Sequence, residues 1–517
     1  MMAKKRLFSE EELEKLATPL SIRLERAADG KNWEEMKQIQ KLMDQECLVI
    51  HEPYVNWLTA LQTYIARRLG EDRMHEAVRG AAEYAMQPVW AELRELDRKG
   101  QIEYLASRWR ASGSTFYITE DDEKLTFRMD PCGDGHRLMR SRGEWKLQRD
   151  IVRIGSDRLK YPDQGAYGPP KNFVILNQAR PATHGLSKVP AFCSTCILFN
   201  EIMATDVFGY PLWVSHLPEK DPDTEPCVLY LYKDPRDVPV GAYLQIGKAK
   251  PGNWEDKPRV KRMFTDQELE TLGTPLSLRL EQAIARQDIA AARELSTIMD
   301  DELVRAKDPH GIMIAGMLSY IARNMGEQHV EEALHWVAEM LMSEFLKDIA
   351  ELDKKTEIEM WCMVWRAHGS TFWVTEDDEK FTFRGKPLGA CHRMWSSAYQ
   401  PKTARISDSR VRYSTFGCYL PPASFHLMRE PRGITWMNTN YPVYSTHCHM
   451  LHEIYAIEQI GYPLWVEIHP LQDRDSETIH LHYKEAHDWP EDIYAKLGKV
   501  KPEWLRQRAA KAVRAKG

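Results

Sequence analysis

The chain has 517 residues, a net charge of −6 and a pI near 6.3, which exclude a global basic footprint for nucleic acid. Its 43% hydrophobic and 28% charged content is that of a soluble globular protein, and no run of about 18 apolar residues predicts a membrane span. Nine cysteines, an odd number, argue against a disulfide framework and for a reducing cytoplasm, where clustered cysteines point to metal or catalysis.

The N-terminal Met-Met-Ala-Lys-Lys-Arg leads into an acidic helix start with no apolar stretch, so secretion is not expected. Ser9 with Glu12 forms a predicted capping box, and Leu13, Leu16, Leu20 and Leu24 follow at helical spacing. Further helices are predicted over about 32–48, 53–70, 73–96 and 100–111. The period then changes to two. Ser114–Thr119 and Lys124–Met129 alternate around Glu120-Asp121-Asp122-Glu123, which predicts a β-hairpin with a solvated acidic turn. A Gly/Pro-rich stretch (about 130–190), a short helix near 194–206 and strands over Leu212–Ser215 and Cys227–Tyr232 complete the unit. Residues 234–263 read as a linker.

The same features then return. Phe8-Ser9-Glu10 is answered by Phe264-Thr265-Asp266, Tyr64-Ile65-Ala66-Arg67 by Tyr320-Ile321-Ala322-Arg323, and Gly113-Ser114-Thr115-Phe116 by Gly369-Ser370-Thr371-Phe372. Each pair is 256 positions apart. Gly209-Tyr210-Pro211-Leu212-Trp213 returns as Gly461-Tyr462-Pro463-Leu464-Trp465, 252 positions on, so four residues are lost between. The chain therefore reads as two tandem homologous domains, about 8–250 and 264–503. Each is α+β: a helical lobe (8–112 and 264–368) followed by a small, mostly antiparallel sheet part (113–250 and 369–503). Helices are expected again over about 288–304, 309–326, 329–352 and 356–367. Two copies in one chain predict an internal pseudo-dimer, with further oligomerisation left open. The basic end, Arg506 to Lys516, reads as a solvated helix.

The chemistry-bearing residues cluster in the sheet part of copy 1. Asp130-Pro131-Cys132-Gly133-Asp134-Gly135-His136 is a tight loop whose glycines let backbone approach a bound atom. Cys193-Ser194-Thr195-Cys196 can present two thiolates to one metal. With Cys132 as third ligand and His136 or His184 as fourth, the set suits zinc, with iron as the alternative. Glu201 and His136 are the candidate proton carriers, although a surface glutamate is the plainer reading of Glu201. A redox pair at a helix start, with a lowered thiol pKa, is a further reading of the Cys-x-x-Cys. In copy 2 Cys132 becomes Leu388 and Cys193 becomes Ser445. That copy either holds an altered set, such as Cys391, His392, His447 and Cys448, or has decayed. His480 and His482 share one strand face, half-exposed on the plainer reading. Trp109-Arg110 and Trp365-Arg366 are expected to pack the lobe on the hairpin, with an arginine grip on a substrate carboxylate as the alternative.

The order of features resembles the L-2-amino-thiazoline-4-carboxylic acid hydrolase-like family, itself similar to the 4-vinyl reductase type of domain. That pattern is a helical lobe, an acidic hairpin (here Phe116–Phe127), a strand-end cysteine (Cys132), a cysteine-bearing helix start (Cys193–Cys196) and a last strand opening on cysteine (Cys227). It covers about 75–235 and, more weakly, 331–486, where Thr478 replaces Cys227. The Asp-Pro-Cys-Gly loop and the duplication lie outside the pattern. The resemblance implies a metal- or thiol-dependent site for a small molecule. The expected function is thus a zinc- or iron-dependent hydrolase or lyase acting on a small organic molecule, without nucleic-acid or membrane partners. The alternatives are a non-catalytic metal- or ligand-binding module with a structural Cys/His zinc site, and a thiol enzyme with Cys132 as nucleophile.

Overall fold

A computed structural model describes residues 6–135, 173–218, 225–254, 258–386, 388–389, 403–405, 412–414, 425–469, 471 and 476–516. The architecture is mixed α+β, with helices dominating and small antiparallel sheets. In the first half, helices α1 (Glu10–Ala17), α2 (Leu20–Asp29), α3 (Trp33–Leu69), α4 (Glu71–Arg94) and α5 (Arg98–Ala111) precede the hairpin of β1 (Phe116–Glu120) and β2 (Lys124–Met129). Helix α6 (Ala191–Phe208) and strands β3 (Val214–His216) and β4 (Cys227–Tyr232) follow. The sheet order is β1-β2-β4-β3, all antiparallel. The second half repeats this order with α7 (Asp266–Gly273), α8 (Leu276–Ala285), α9 (Ile289–Asn324), α10 (Glu327–Ala350), α11 (Lys354–Ala367), β5 (Phe372–Glu376), β6 (Lys380–Gly385), a helix α12 over 446–460, β7 (Val466–Ile468) and β8 (Thr478–Tyr483). Its sheet runs β7-β8-β6-β5.

The capping boxes form as expected: Ser9 Oγ accepts from Glu12 N, and Thr265 Oγ1 from Glu268 N. One expectation fails in both halves. A break was predicted before Pro53 and before Pro309, yet α3 and α9 run through them. A proline removes one backbone donor and crowds the preceding turn. The turns beyond it compensate by burying Val55, Leu58 and Leu61, and likewise Ile312, Ile314 and Leu318, in a common core. Helix α9 packs on α3 and α4. The fit is close enough that a Cβ on Gly316 would stand 2.6 Å from the Ala81 Cβ. The linker region also carries structure of its own, the short helix Val240–Gln245.

The halves are laced together reciprocally. Helix α1 packs on β5 of the second half, and α7 on β1 of the first. The backbone N–H groups of Leu7 and Phe8 donate to Glu376 at 2.7 and 3.0 Å. Those of Met263 and Phe264 donate to Glu120 at 2.5 and 3.0 Å. Lys233 and Lys484 neutralise these two glutamates at 2.6 and 2.7 Å. Glu120 is therefore not part of a solvated acidic turn, and only Asp121 plays the local role, accepting from the backbone of Glu123 and Lys124. Arg110 pairs with Glu302 at 2.8 Å and donates to the Leu272 carbonyl. Arg366 pairs with Glu46 at 2.7 Å and donates to the Leu16 carbonyl. The alternative reading of these arginines as a substrate grip is thus not followed, since both are occupied between halves, while Trp109 packs on Phe116 and Phe127 as expected.

Helix α6 has the length and hydropathy of a membrane span by composition, but 67% of it is buried inside the protein, as for a core helix. Its middle, Leu198–Met203, is a π-helix, a local irregularity that often accompanies a functional site.

Candidate metal centre

The loop after β2 is tied back to the hairpin before it reaches the site. Thr115 N donates to the Pro131 carbonyl at 3.0 Å, and Gly133 N to Ser114 Oγ at 2.8 Å. Gly133 sits against the Ser112 carbonyl, where an added Cβ would come within 1.8 Å. Gly135 presses on Cys193, whose sulfur would stand 2.5 Å from a Cβ there. Gly133 thus seats the loop on the end of α5 and Gly135 seats it on α6, close packing that a side chain would block.

Four cysteines from two elements and this loop line one small cavity of about 40 Å³: Cys132, Cys193 and Cys196 (one helical turn apart on α6), and Cys227 at the start of β4. Trp109, Met129, Leu217, Pro218 and Leu229 make most of the remaining wall. Sequence reasoning placed three of the four in the ligand set. Cys227 entered only through the family resemblance, because a lone cysteine opening a strand carries no spacing signal. Burial pushes the thiols of Cys193, Cys196 and Cys227 well above their ordinary range, and the neighbouring sulfurs push the same way. This corrects the expectation of a helix-lowered pKa: desolvation outweighs the helix terminus. Among the described residues, no three His, Cys, Asp or Glu side chains converge closely enough to share a single ion.

His136, Cys391 and His392 lie outside the described residues. His184 and Glu201 do not stand on the cavity wall but pair with each other, Nε2 to Oε2, at 2.9 Å. The other Glu201 oxygen accepts from Ser215 N at 3.0 Å and Ser215 Oγ at 2.5 Å. Glu201 is 1% exposed, so the surface reading is wrong. Its carboxylate instead fastens β3 to α6 beside the cysteines.

A second cavity, about 110 Å³, shares Trp109, Asp134 and Cys196 with the first. Leu105, Phe192, Phe199 and Trp213 give it an apolar body, and α9 of the second half closes it with Pro309, His310 and Met313. Arg108 reaches its wall, and Arg108 Nη1 has no hydrogen-bond partner among the described residues. His51 Nε2 lies 3.2 Å from Asp134 Oδ1. Burial alone would raise the Asp134 carboxyl; the adjacent His51, whose Nε2 also meets the Gly133 carbonyl at 3.3 Å, and the charges of His310 and Arg108 hold it below its ordinary value. Asp134 lay inside the quoted loop, but nothing local marked it. His51 and His310 are distant in sequence and meet only because the two long helices cross.

The second half places other side chains at the matching positions. Leu388, Ser445 and Thr478 stand where the first half has Cys132, Cys193 and Cys227, and only Cys448 persists. Ser112, Thr195, Asn200 and Leu105 become His368, His447, His452 and Trp361, and Trp57 of α3 takes the place of Met313. Trp57 packs on His447 with ring centroids 4.5 Å apart. His447 Nε2 lies 3.4 Å from the Cys448 sulfur. Contrary to expectation, His480 and His482 are 1% and 0% exposed. His480 stacks on Trp465 at 4.3 Å, and His452 stacks on the same indole at 4.6 Å. Burial pushes the imidazoles of His452 and His482 well down, with neighbouring histidines adding to it.

These two rings make an acid-sensitive weak point. An imidazole whose folded-state pKa is depressed binds its proton first in the unfolded chain. Its stabilising contribution is full above the ordinary pKa of 6.5 and is lost as pH falls through the folded value. The double variant His452→Asn, His482→Leu, which restores the first-half residues, is expected to recover about 1–3 kcal/mol at pH 5 and little at pH 8. Urea titrations at the two pH values check this, and an equal effect at both would contradict it.

No family model, no curated protein and no solved structure matches the chain.

Proposed function

We propose that the chain is a metal-dependent enzyme, using zinc or iron, that acts on a small organic molecule by hydrolase- or lyase-type chemistry. The observation that carries this is the adjacency of two cavities: four cysteines surround one, and the other shares Cys196 and Asp134 with it. Cys132, Cys193, Cys196 and Cys227, which line the smaller cavity without converging on one point, would have to close on the metal to hold it. When bound, a metal in such a site polarises a carbonyl or C=N group, or acidifies a water.

The chain's own residues supply the rest. The larger cavity, on the scale of one aromatic ring, takes the apolar body of the ligand against Phe192, Phe199 and Trp213. Arg108 offers an unpartnered donor to an acceptor on that ligand. The Asp134 carboxylate, oriented by His51, is the candidate proton carrier, in place of Glu201, whose oxygens are both engaged. Because α9 completes the pocket, the two halves work as one unit, an internal pseudo-dimer with a single chemically equipped site.

A second reading has one observation in its favour. Four cysteine ligands saturate a tetrahedral metal, the pattern of a closed, non-catalytic centre. Metal-edge spectroscopy separates the two. Three sulfurs with an oxygen or nitrogen neighbour support the enzyme, whereas four sulfurs around a lone zinc ion support a ligand-binding module.

A further inference from the structure

We infer that the four-cysteine cavity holds an iron–sulfur cluster rather than a single metal ion. This rests on the reading of Cys132, Cys193, Cys196 and Cys227 as metal ligands, and goes beyond it in naming the group.

Size is the first argument. A zinc ion with four sulfurs at about 2.3 Å leaves no empty space between them. Here the four cysteines line about 40 Å³. At roughly 10–15 Å³ per water molecule, that space would admit about three. A cluster of iron and sulfide spreads its four cysteine ligands around a core of several atoms rather than one ion.

The donor set is the second argument. Among the described residues, every metal-ligating side chain on this wall is a cysteine except Asp134, and none is an imidazole. His184, the nearest sequence candidate, is held by Glu201. An all-sulfur set is the one iron–sulfur clusters use. The third argument is the lining. Trp109, Met129, Leu217, Pro218 and Leu229 surround the sulfurs with apolar surface, which shields a cluster from water. The second half, having lost three of the four cysteines, has His480 stacked on Trp465 in the same region. Leu229, on the first-half wall, stands where the second half has His480.

The test is iron, zinc and acid-labile sulfide analysis of the full chain purified without oxygen, with visible spectra before and after dithionite. Iron and sulfide in equal amounts, about two to four of each per chain, with a broad visible absorption that bleaches on reduction, are expected. Cys227→Thr, which copies the second half, should lose at least tenfold of the iron and sulfide, and Cys448→Ser should lose none. The far-ultraviolet circular dichroism of both variants reports whether they fold. Should Cys227→Thr not fold, Cys132→Ser, at a partly exposed position, provides the same comparison. Zinc, or iron without sulfide, would overturn the cluster while leaving the metal site standing. A chain with no metal that takes up none from ferrous iron and sulfide would overturn both.

Discussion

Cys196→Ser is expected to reduce bound metal at least tenfold and to abolish any activity that depends on it. Among the described cysteines only Cys196 lines both cavities, so under the proposed function its sulfur is where a ligand in the larger pocket would meet the metal. A serine oxygen binds soft metals far less well than a thiolate. The second half provides the control. Cys448 occupies the matching turn of α12, but Leu388, Ser445 and Thr478 replace its partners. Cys448→Ser should leave the metal content unchanged. Metal analysis of the two variants beside the parent decides the matter. Equal losses in both would place the centre in the second half or in neither.

Arg366→Ala is expected to cost about 3–5 kcal/mol of folding stability, the usual result of removing one partner from a buried ion pair. The Arg366 and Glu46 side chains are 2% and 6% exposed, and the guanidinium also caps the Leu16 carbonyl. Burial pushes the Glu46 carboxyl upward, and Arg366 is the main influence opposing it. Without the arginine, Glu46 is left buried with only the weaker influence of Lys307 and Arg23 to offset it. The double variant with Glu46→Gln should regain a substantial part of the loss, because the stranded charge is then gone. Arg110→Ala should behave alike through Glu302, its partner at 2.8 Å. Because both pairs cross between halves, denaturant titration should show one cooperative transition. Separate unfolding of two halves, with a loss under 1 kcal/mol, would contradict this account.

Much of the scaffold was legible in the sequence because its signals are local. Ser9 with Glu12 and Thr265 with Glu268 mark helix starts through side chains three residues apart. The Phe116–Met129 hairpin follows from alternation around a polar turn. What sequence missed is what only long-range packing decides. Pro53 and Pro309 read as helix stops, yet burial beyond each proline carries α3 and α9 through. Glu120 and Glu376 read as turn charges, but each receives two backbone donors from the start of the other half. His480 and His482 alternate like a half-exposed strand and are instead fully enclosed by Trp465, Trp365 and Phe383.

The candidate site divides the same way. Cys132, Cys193 and Cys196 could be picked out from the Gly-rich loop and the Cys-x-x-Cys spacing. Cys227, Asp134, His51 and His310 could not, since they come together only when β4 pairs with β2 and the two long helices cross. His184 and Glu201 were placed in the right neighbourhood but in the wrong role, as partners of each other. The family resemblance singled out all four cysteines without their mutual placement.

The central claim is that the chain carries one metal centre, built by first-half cysteines. Metal content per folded chain, measured with the sulfur count from metal-edge spectroscopy, tests it most directly. The account predicts one centre per chain with a sulfur-dominated shell. Two centres per chain, or a histidine-dominated shell of the kind only the second half could supply, would contradict it.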